Sequence, residues 1–433
     1  MADGSNPNSV LDYAQAVNAD SSTSANAQVD AAVSTCPDVA LNFGVFFDGT
    51  YNNRANVASF SAGTTMQTGG SYDNYITNVA RLSELYFTRD NDVPNSCGNT
   101  DEAYRSVYID GIGTSAGQSD DGAAAATGFG KYGVEEAIRN ATARLERATK
   151  EFGGIDAIRS IKFDVFGFSR GAATARIFAN LIAAGEVPNA QVRFLGLYDT
   201  VGSFGIPGNQ LEMSPQDEAR YYACFIPSIR LQLNQRCHTV PTSDTLDMEV
   251  RTNSAEHVYH IVADDEFRAF FPSSSVKPSH GVEVIMPGNH GDIGGSSPPA
   301  KFFEETMNPP RFLRDRGYWD TAYRQDIAPT NNVDRLMRNW DHNYRRMIEP
   351  GIWTVGYTAM LARARQAGAP LRDAPVEVPP ELHTLTKTMI GGGSLPESAR
   401  RPIRTKFVRM SHDGIGSNML DINNERESYP NQP

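Results

Sequence analysis

At 433 residues, with 40% apolar and 21% charged side chains, the chain is long enough to bury a large core and is ordinary in composition for a globular protein. Its net charge of −12 argues against bulk nucleic-acid binding. The four cysteines (Cys36, Cys97, Cys224 and Cys237) form no C-x-x-C or zinc spacing, no run reaches membrane-spanning length, and MADGSNPNSV has neither the basic start nor the apolar core of a secretory signal.

Residues 1–37 are rich in Ala, Ser, Asn and Asp and read as a flexible tail. Val39 to Phe47 is nearly continuous in apolar residues, as expected of a strand covered on both faces. It ends in Asp48-Gly49-Thr50, a turn at the carboxyl end of the strand, where ligands bind in open α/β sheets. Asp73 to Thr88 has helical spacing. Ser106 to Asp110 reads as a short strand, followed by a loop rich in Gly and Ala that lacks the full dinucleotide-binding pattern. Tyr132 to Glu151 reads as an amphipathic helix stopped by Gly153-Gly154.

The stretch IKFDVFGFSRGAATARIFAN, residues 161–180, follows. An apolar strand runs into Gly167-Phe168-Ser169-Arg170-Gly171, which fits G-x-S-x-G, and then into an Ala-rich helix. Strand, sharp turn with a central Ser, then helix is the context of a nucleophile elbow. Two further strands, Gln191 to Tyr198 and Glu256 to Ala263, end in Asp199-Thr200-Val201-Gly202 and Asp264-Asp265-Glu266. Between them, residues 206–250 read as an irregular insertion. Val282 to Met286 is a last strand, leading into PGNHGDIGG at 287–295. Alternating strands and helices imply an α/β-hydrolase-like, mostly parallel sheet covered by helices on both faces.

Three regions follow: a tail at 1–37, a catalytic core at 38–298, and a helical, partly basic extension or cap at 299–433. The extension is expected to hold helices at Arg311 to Tyr323, Val333 to Ile348 and Trp353 to Arg365, and an edge strand at Thr405 to Met410. The charge balance is −15 over residues 1–300 and +3 over 301–433. That surplus points the C-terminal third toward anionic lipid or an acidic partner, or else is an ordinary scatter of solvated charges.

A serine needs a base to take its proton and an acid to hold that base. In this fold class the order along the chain is Ser, acid, His. Of the eight histidines, His290 closely follows a strand and lies among small residues, His412 is the runner-up, and His257 and His260 lie within a strand, where a structural role is expected. For the acid, spacing leaves Asp199 and Asp264 or Asp265 equal, and Asp292 lies too near His290 to be preferred. The Arg170 N–H is expected to be one oxyanion donor, with the Gly49 turn supplying the second. The Arg170 side chain is expected either to bind a substrate phosphate or carboxylate or to pair with a carboxylate of the sheet. Asp48 reads first as a turn residue, and Asp48 and Asp292 do not by themselves make a calcium site. No cofactor is required, and calcium is left open.

FFDGT at 46–50, GFSRGAA at 167–173, LYDTVGS at 197–203, DDEFRAFFP at 264–272 and PGNHGDIGG at 287–295 together resemble the ordered motifs of the α/β-hydrolase domain of type VI secretion lipase effectors, most nearly their first group. The resemblance spans roughly Asn42 to Gly295. It implies a triad of Ser169, Asp199 and His290, and so decides between the candidate acids. It further implies phospholipase A activity on membrane glycerophospholipids, a spike or needle component of the secretion system as carrier, and a cognate immunity protein. The protein would be made in the bacterial cytoplasm without a signal peptide and would act in the periplasm of a target cell. The competing readings are a cytoplasmic carboxylesterase on small soluble esters and a non-catalytic hydrolase-fold binding module.

Overall fold

The structure, a computed structural model, describes residues 39–205, 246–268, 271–296, 303–307, 325–327, 343–409, 428–429 and 431. Its centre is a seven-stranded sheet. In chain order the strands are β1 (Val39–Phe47), β2 (Val93–Pro94), β3 (Thr100–Ile109), β4 (Ile158–Phe168), β5 (Ala190–Tyr198) and β6 (His257–Ala263). After the two-residue β7 (Ser273–Ser274), which lies outside this sheet, comes β8 (Val282–Met286). The spatial order is β2-β3-β1-β4-β5-β6-β8, parallel except for β2.

Two apolar layers explain why these strands are central. Along β1, Leu41, Phe43, Val45 and Phe47 face one cluster and Phe46 faces the other, as the two-residue period of a strand requires. The first layer lies under helices Val134–Lys150 and Arg170–Ala183. The second is closed by helices Asn78–Ser83, Trp353–Gln366 and His383–Ile390. Val355, Met360 and Leu385 of the C-terminal region thus share one cluster with Phe166, Tyr198 and Ile261 of the sheet.

The later elements differ from their expected forms. Trp353–Gln366 is helical, but Asn343–Ile348 is a strand, antiparallel to Phe303–Met307 and Gln325–Ile327. The first half of the expected edge strand, residues 405–407, instead ends helix Glu397–Phe407. Its last turn carries Arg404 and Lys406 near the helix C-terminus, where cations are favoured. Residues 311–323, most of the 206–250 insertion, residues 1–37 and His412 lie outside the described residues. Cys97 is disulfide-bonded, while Cys36, Cys224 and Cys237 also lie outside them.

Candidate active site

Ser169 sits where β4 passes into helix Arg170–Ala183, with φ 58 and ψ −128. Such a conformation costs a non-glycine residue on the order of 1–3 kcal/mol and persists only where the surroundings impose it. Here its N–H donates to the Tyr198 carbonyl at 3.0 Å. The flanking glycines explain the tightness of the turn. A Cβ on Gly167 would stand 2.4 Å from the Gly171 carbonyl oxygen, and one on Gly171 would stand 2.3 Å from that of Asp48. The elbow therefore packs its backbone directly against the end of β1.

Asp199 caps β5, also with a positive φ, of 42. It is fully buried. Its Oδ2 lies 2.6 Å from His290 Nδ1, and its Oδ1 accepts the Ala263 N–H at 2.9 Å. One ring nitrogen of His290 is thereby committed to the carboxylate, leaving Nε2 for chemistry. Burial pushes the His290 pKa below its ordinary value, opposed by the Asp199 hydrogen bond and charge. Phe168 and Phe271 supply the apolar walls, with ring centroids 4.6 Å and 5.0 Å from the imidazole. Ser169, Arg170, His290, Phe168 and Phe271 all line one cleft of about 590 Å³.

The other candidate carboxylates have different work. Asp265 accepts Arg404 Nε at 2.8 Å and the Gly288 N–H at 2.8 Å, so it holds the loop before His290 and does not reach the imidazole. Asp264 pairs with Arg400 and Arg404. Asp292 bonds the Asn289 N–H at 3.2 Å, closing a reciprocal cap on the helix that begins at His290, and pairs with Arg409. Asp48 accepts Gly49 N–H at 2.8 Å, Thr77 Oγ1 at 2.8 Å and Tyr108 OH at 2.6 Å. Among the described residues no three His, Cys, Asp or Glu converge as a metal site. Burial still raises Asp48 to about 6, against those three hydrogen bonds.

The oxyanion turn needs a correction. The Gly49 N–H is spent on the Asp48 carboxylate. The next N–H is that of Thr50, which lines the cleft beside Ser169, as does Arg170 at the first helical position. The Arg170 side chain also braces backbone. Its Nε donates to Thr50 Oγ1 at 2.9 Å, and its other nitrogens donate to the Ala125 and Ala126 carbonyls. It clamps the Thr50 turn against helix Gly122–Thr127.

Two further residues brace the site through contacts that the sequence does not specify. Glu266, fully buried, accepts the His290 N–H at 3.3 Å and forks onto Arg268 through Nε and Nη2, both at 2.9 Å. Their i, i+2 spacing was visible, but the fork was not. His260 Nε2 accepts the Thr200 N–H at 3.1 Å while its Nδ1 meets Glu283 at 2.9 Å, so it braces the turn that carries Asp199. Several basic side chains of the C-terminal region are likewise paired, Arg400 and Arg404 with Asp264, and Lys406 with Glu349 and Glu381.

Residues 183–310 match the family model described as T6SS phospholipase effector Tle1-like, catalytic domain. The match covers less than a third of the chain but includes Asp199 and His290. No curated protein matches. Among solved structures, the chain is similar to that of the Tle1 effector bound to the VgrG spike from the type 6 secretion system. Identity is 22%, covering 90% of this chain and 88% of that one, with a TM-score of 0.53, a likeness of fold. An uncharacterised protein from Pseudomonas aeruginosa is 18% identical over 85% of this chain and 53% of its own, with a TM-score of 0.42.

Proposed function

From the premise that residues 183–310 are similar to the catalytic domain of Tle1-like phospholipase effectors, we propose that the protein is a serine hydrolase cleaving one acyl ester of membrane glycerophospholipids. The observation that carries this reading is the 2.6 Å contact of Asp199 with His290 in the cleft that also holds the strained Ser169. In the proposed reaction His290 Nε2 takes the Ser169 hydroxyl proton as Oγ attacks the acyl carbonyl carbon. Asp199 fixes the Nδ1–H tautomer and stabilises the imidazolium. The Arg170 and Thr50 N–H groups receive the oxyanion. Collapse expels the lysophospholipid alkoxide, which takes the proton from His290. Water, deprotonated by the same imidazole, then releases the fatty acid from Ser169 and restores the hydroxyl.

The proposal extends to the setting. The protein would travel on a type VI secretion spike, act on phospholipid from the periplasm of a target cell, and be restrained in the producer by an immunity protein. Purified protein added to phospholipid vesicles should release fatty acid, and Ser169→Ala should release none while retaining its fold. Fatty-acid release by Ser169→Ala would remove the serine mechanism. Hydrolysis confined to short soluble esters would favour the carboxylesterase reading. Positional analysis of the released chain assigns the cleavage to one ester of the glycerol backbone.

A further inference from the structure

The cleft beside Ser169 is one-signed. Arg170, Arg268 and Arg409 line it, and no Asp or Glu is among its described lining residues. The three guanidiniums are held differently. Arg170 is turned into backbone carbonyls, and Arg409 is paired with Asp292. Arg268 is fixed on two sides and open on the third. Its Nε and Nη2 fork onto Glu266, its Cζ lies 3.6 Å from the Phe271 ring centroid, and its Nη1 has no hydrogen-bond partner among the described residues. Its side chain is 34% exposed, whereas that of Glu266 is fully buried.

We propose that Arg268 is the subsite for the phosphodiester of the substrate, and that it sets the preference of this cleft for phospholipids over neutral acylglycerols. The inference rests on the ester-hydrolase reading above. A guanidinium held by a carboxylate and an aromatic face keeps its orientation, so little freedom is lost when its remaining N–H groups meet phosphate oxygens. Glu266, whose oxygens also accept the backbone N–H groups of Phe267, Arg268 and His290, occupies only the Nε and Nη2 edge of the guanidinium. The position suits the chemistry. Phe271 lies between the two groups, with its ring 5.0 Å from the His290 imidazole, and in a glycerophospholipid the phosphate stands only a few bonds from the scissile ester. The field of Arg268 already reaches the imidazole, where it opposes protonation. Ser203 adds a second open polar group to the cleft: it is 5% exposed, and its hydroxyl has no hydrogen-bond partner among the described residues.

The test compares phosphatidylglycerol with diacylglycerol carrying the same chains, both in mixed micelles, and follows released fatty acid. In Arg268→Gln the ratio of the two kcat/KM values should fall roughly tenfold to a hundredfold, the range expected for one lost hydrogen bond to a charged group, and Arg268→Lys should restore part of it. An unchanged ratio, whether both rates fall together or neither does, overturns the proposal. A measurement on the unmodified protein guards against a variant that does not fold. Glycerophosphoglycerol at millimolar concentration should inhibit hydrolysis of the neutral ester, and equimolar glycerol should not. Inhibition by inorganic phosphate alone, without the glycerophosphodiester, would point to a free-anion site and overturn the lipid assignment. Equal effects of glycerophosphoglycerol and glycerol would also overturn it. If the protein hydrolyses no ester in a Ser169-dependent way, the underlying enzymatic reading fails. If it does so without regard to phosphate, only this inference fails.

Discussion

His290 Nδ1 and Asp199 Oδ2 lie 2.6 Å apart although 91 residues separate them, and both are buried beneath the cleft that holds Ser169. The carboxylate approaches from the end of β5 and the imidazole from the loop after β8, with β6 between them in the sheet. Asp199→Asn tests this pair. The amide keeps the shape and the positive φ, to which Asn is suited, but presents N–H₂ to Nδ1 and favours the wrong tautomer. A loss in kcat of about 10⁴ with an unchanged melting curve is expected.

Asp265→Asn should behave in the opposite way. It removes one carboxylate from buried Arg404, which keeps Asp264 and Glu397, so the cost should fall below the about 3–5 kcal/mol of a fully broken buried pair. Thermal unfolding should shift markedly, and activity should follow the folded fraction. A large loss of kcat in Asp265→Asn with normal stability, alongside an active Asp199→Asn, would reverse the assignment of the acid.

The activity profile with pH should place its acid limb below 6.5, the ordinary value from which burial lowers His290. The sign follows from the neutral imidazole being the base: a depressed pKa keeps it neutral into mildly acidic solution. Arg268→Gln removes a positive neighbour, so the limb should move up in pH. A downward movement would show that the guanidinium does not act on the imidazole.

Ser169→Gly should be more stable than Ser169→Ala by roughly 1 kcal/mol, because glycine adopts φ 58 without the steric cost that alanine shares with serine. Differential scanning of the two inactive variants isolates backbone strain from catalysis. Equal melting temperatures would mean that the turn is unstrained.

Asp48 supplies a separate stability test. Its folded pKa of about 6 exceeds the ordinary 3.8, so its contribution to stability is fully present below 3.8 and is lost as pH rises through 6. The loss amounts to about 3 kcal/mol. Denaturant titrations of the parent and Asp48→Asn between pH 4 and 7 should converge or diverge by that order across this window, and parallel curves would contradict the raised pKa.

The sheet was legible because β1, β4 and β5 are buried on both faces and read as continuous apolar runs, and the elbow was legible because Gly167 and Gly171 are demanded by close backbone approach. What could not be read was long-range pairing. Spacing left Asp199 and Asp265 equal, and only the guanidinium of Arg404, 139 residues beyond Asp265, shows what the second carboxylate is for. That the Gly49 N–H is occupied could not be read either, since the rotamer of Asp48 decides which N–H is consumed. The helix over Glu397–Phe407 was hidden by Pro402 within it, a residue that ordinarily argues against helix interior.

The bond between Asp265 and Arg404 also bears on synthesis. Ser169, Asp199 and His290 are all translated before residue 300, but the side chain that steadies the loop before His290 comes more than a hundred residues later. A growing chain therefore carries all three residues before it can make the Asp265–Arg404 contact. Built this way, the chain cannot complete that brace until most of it has been translated.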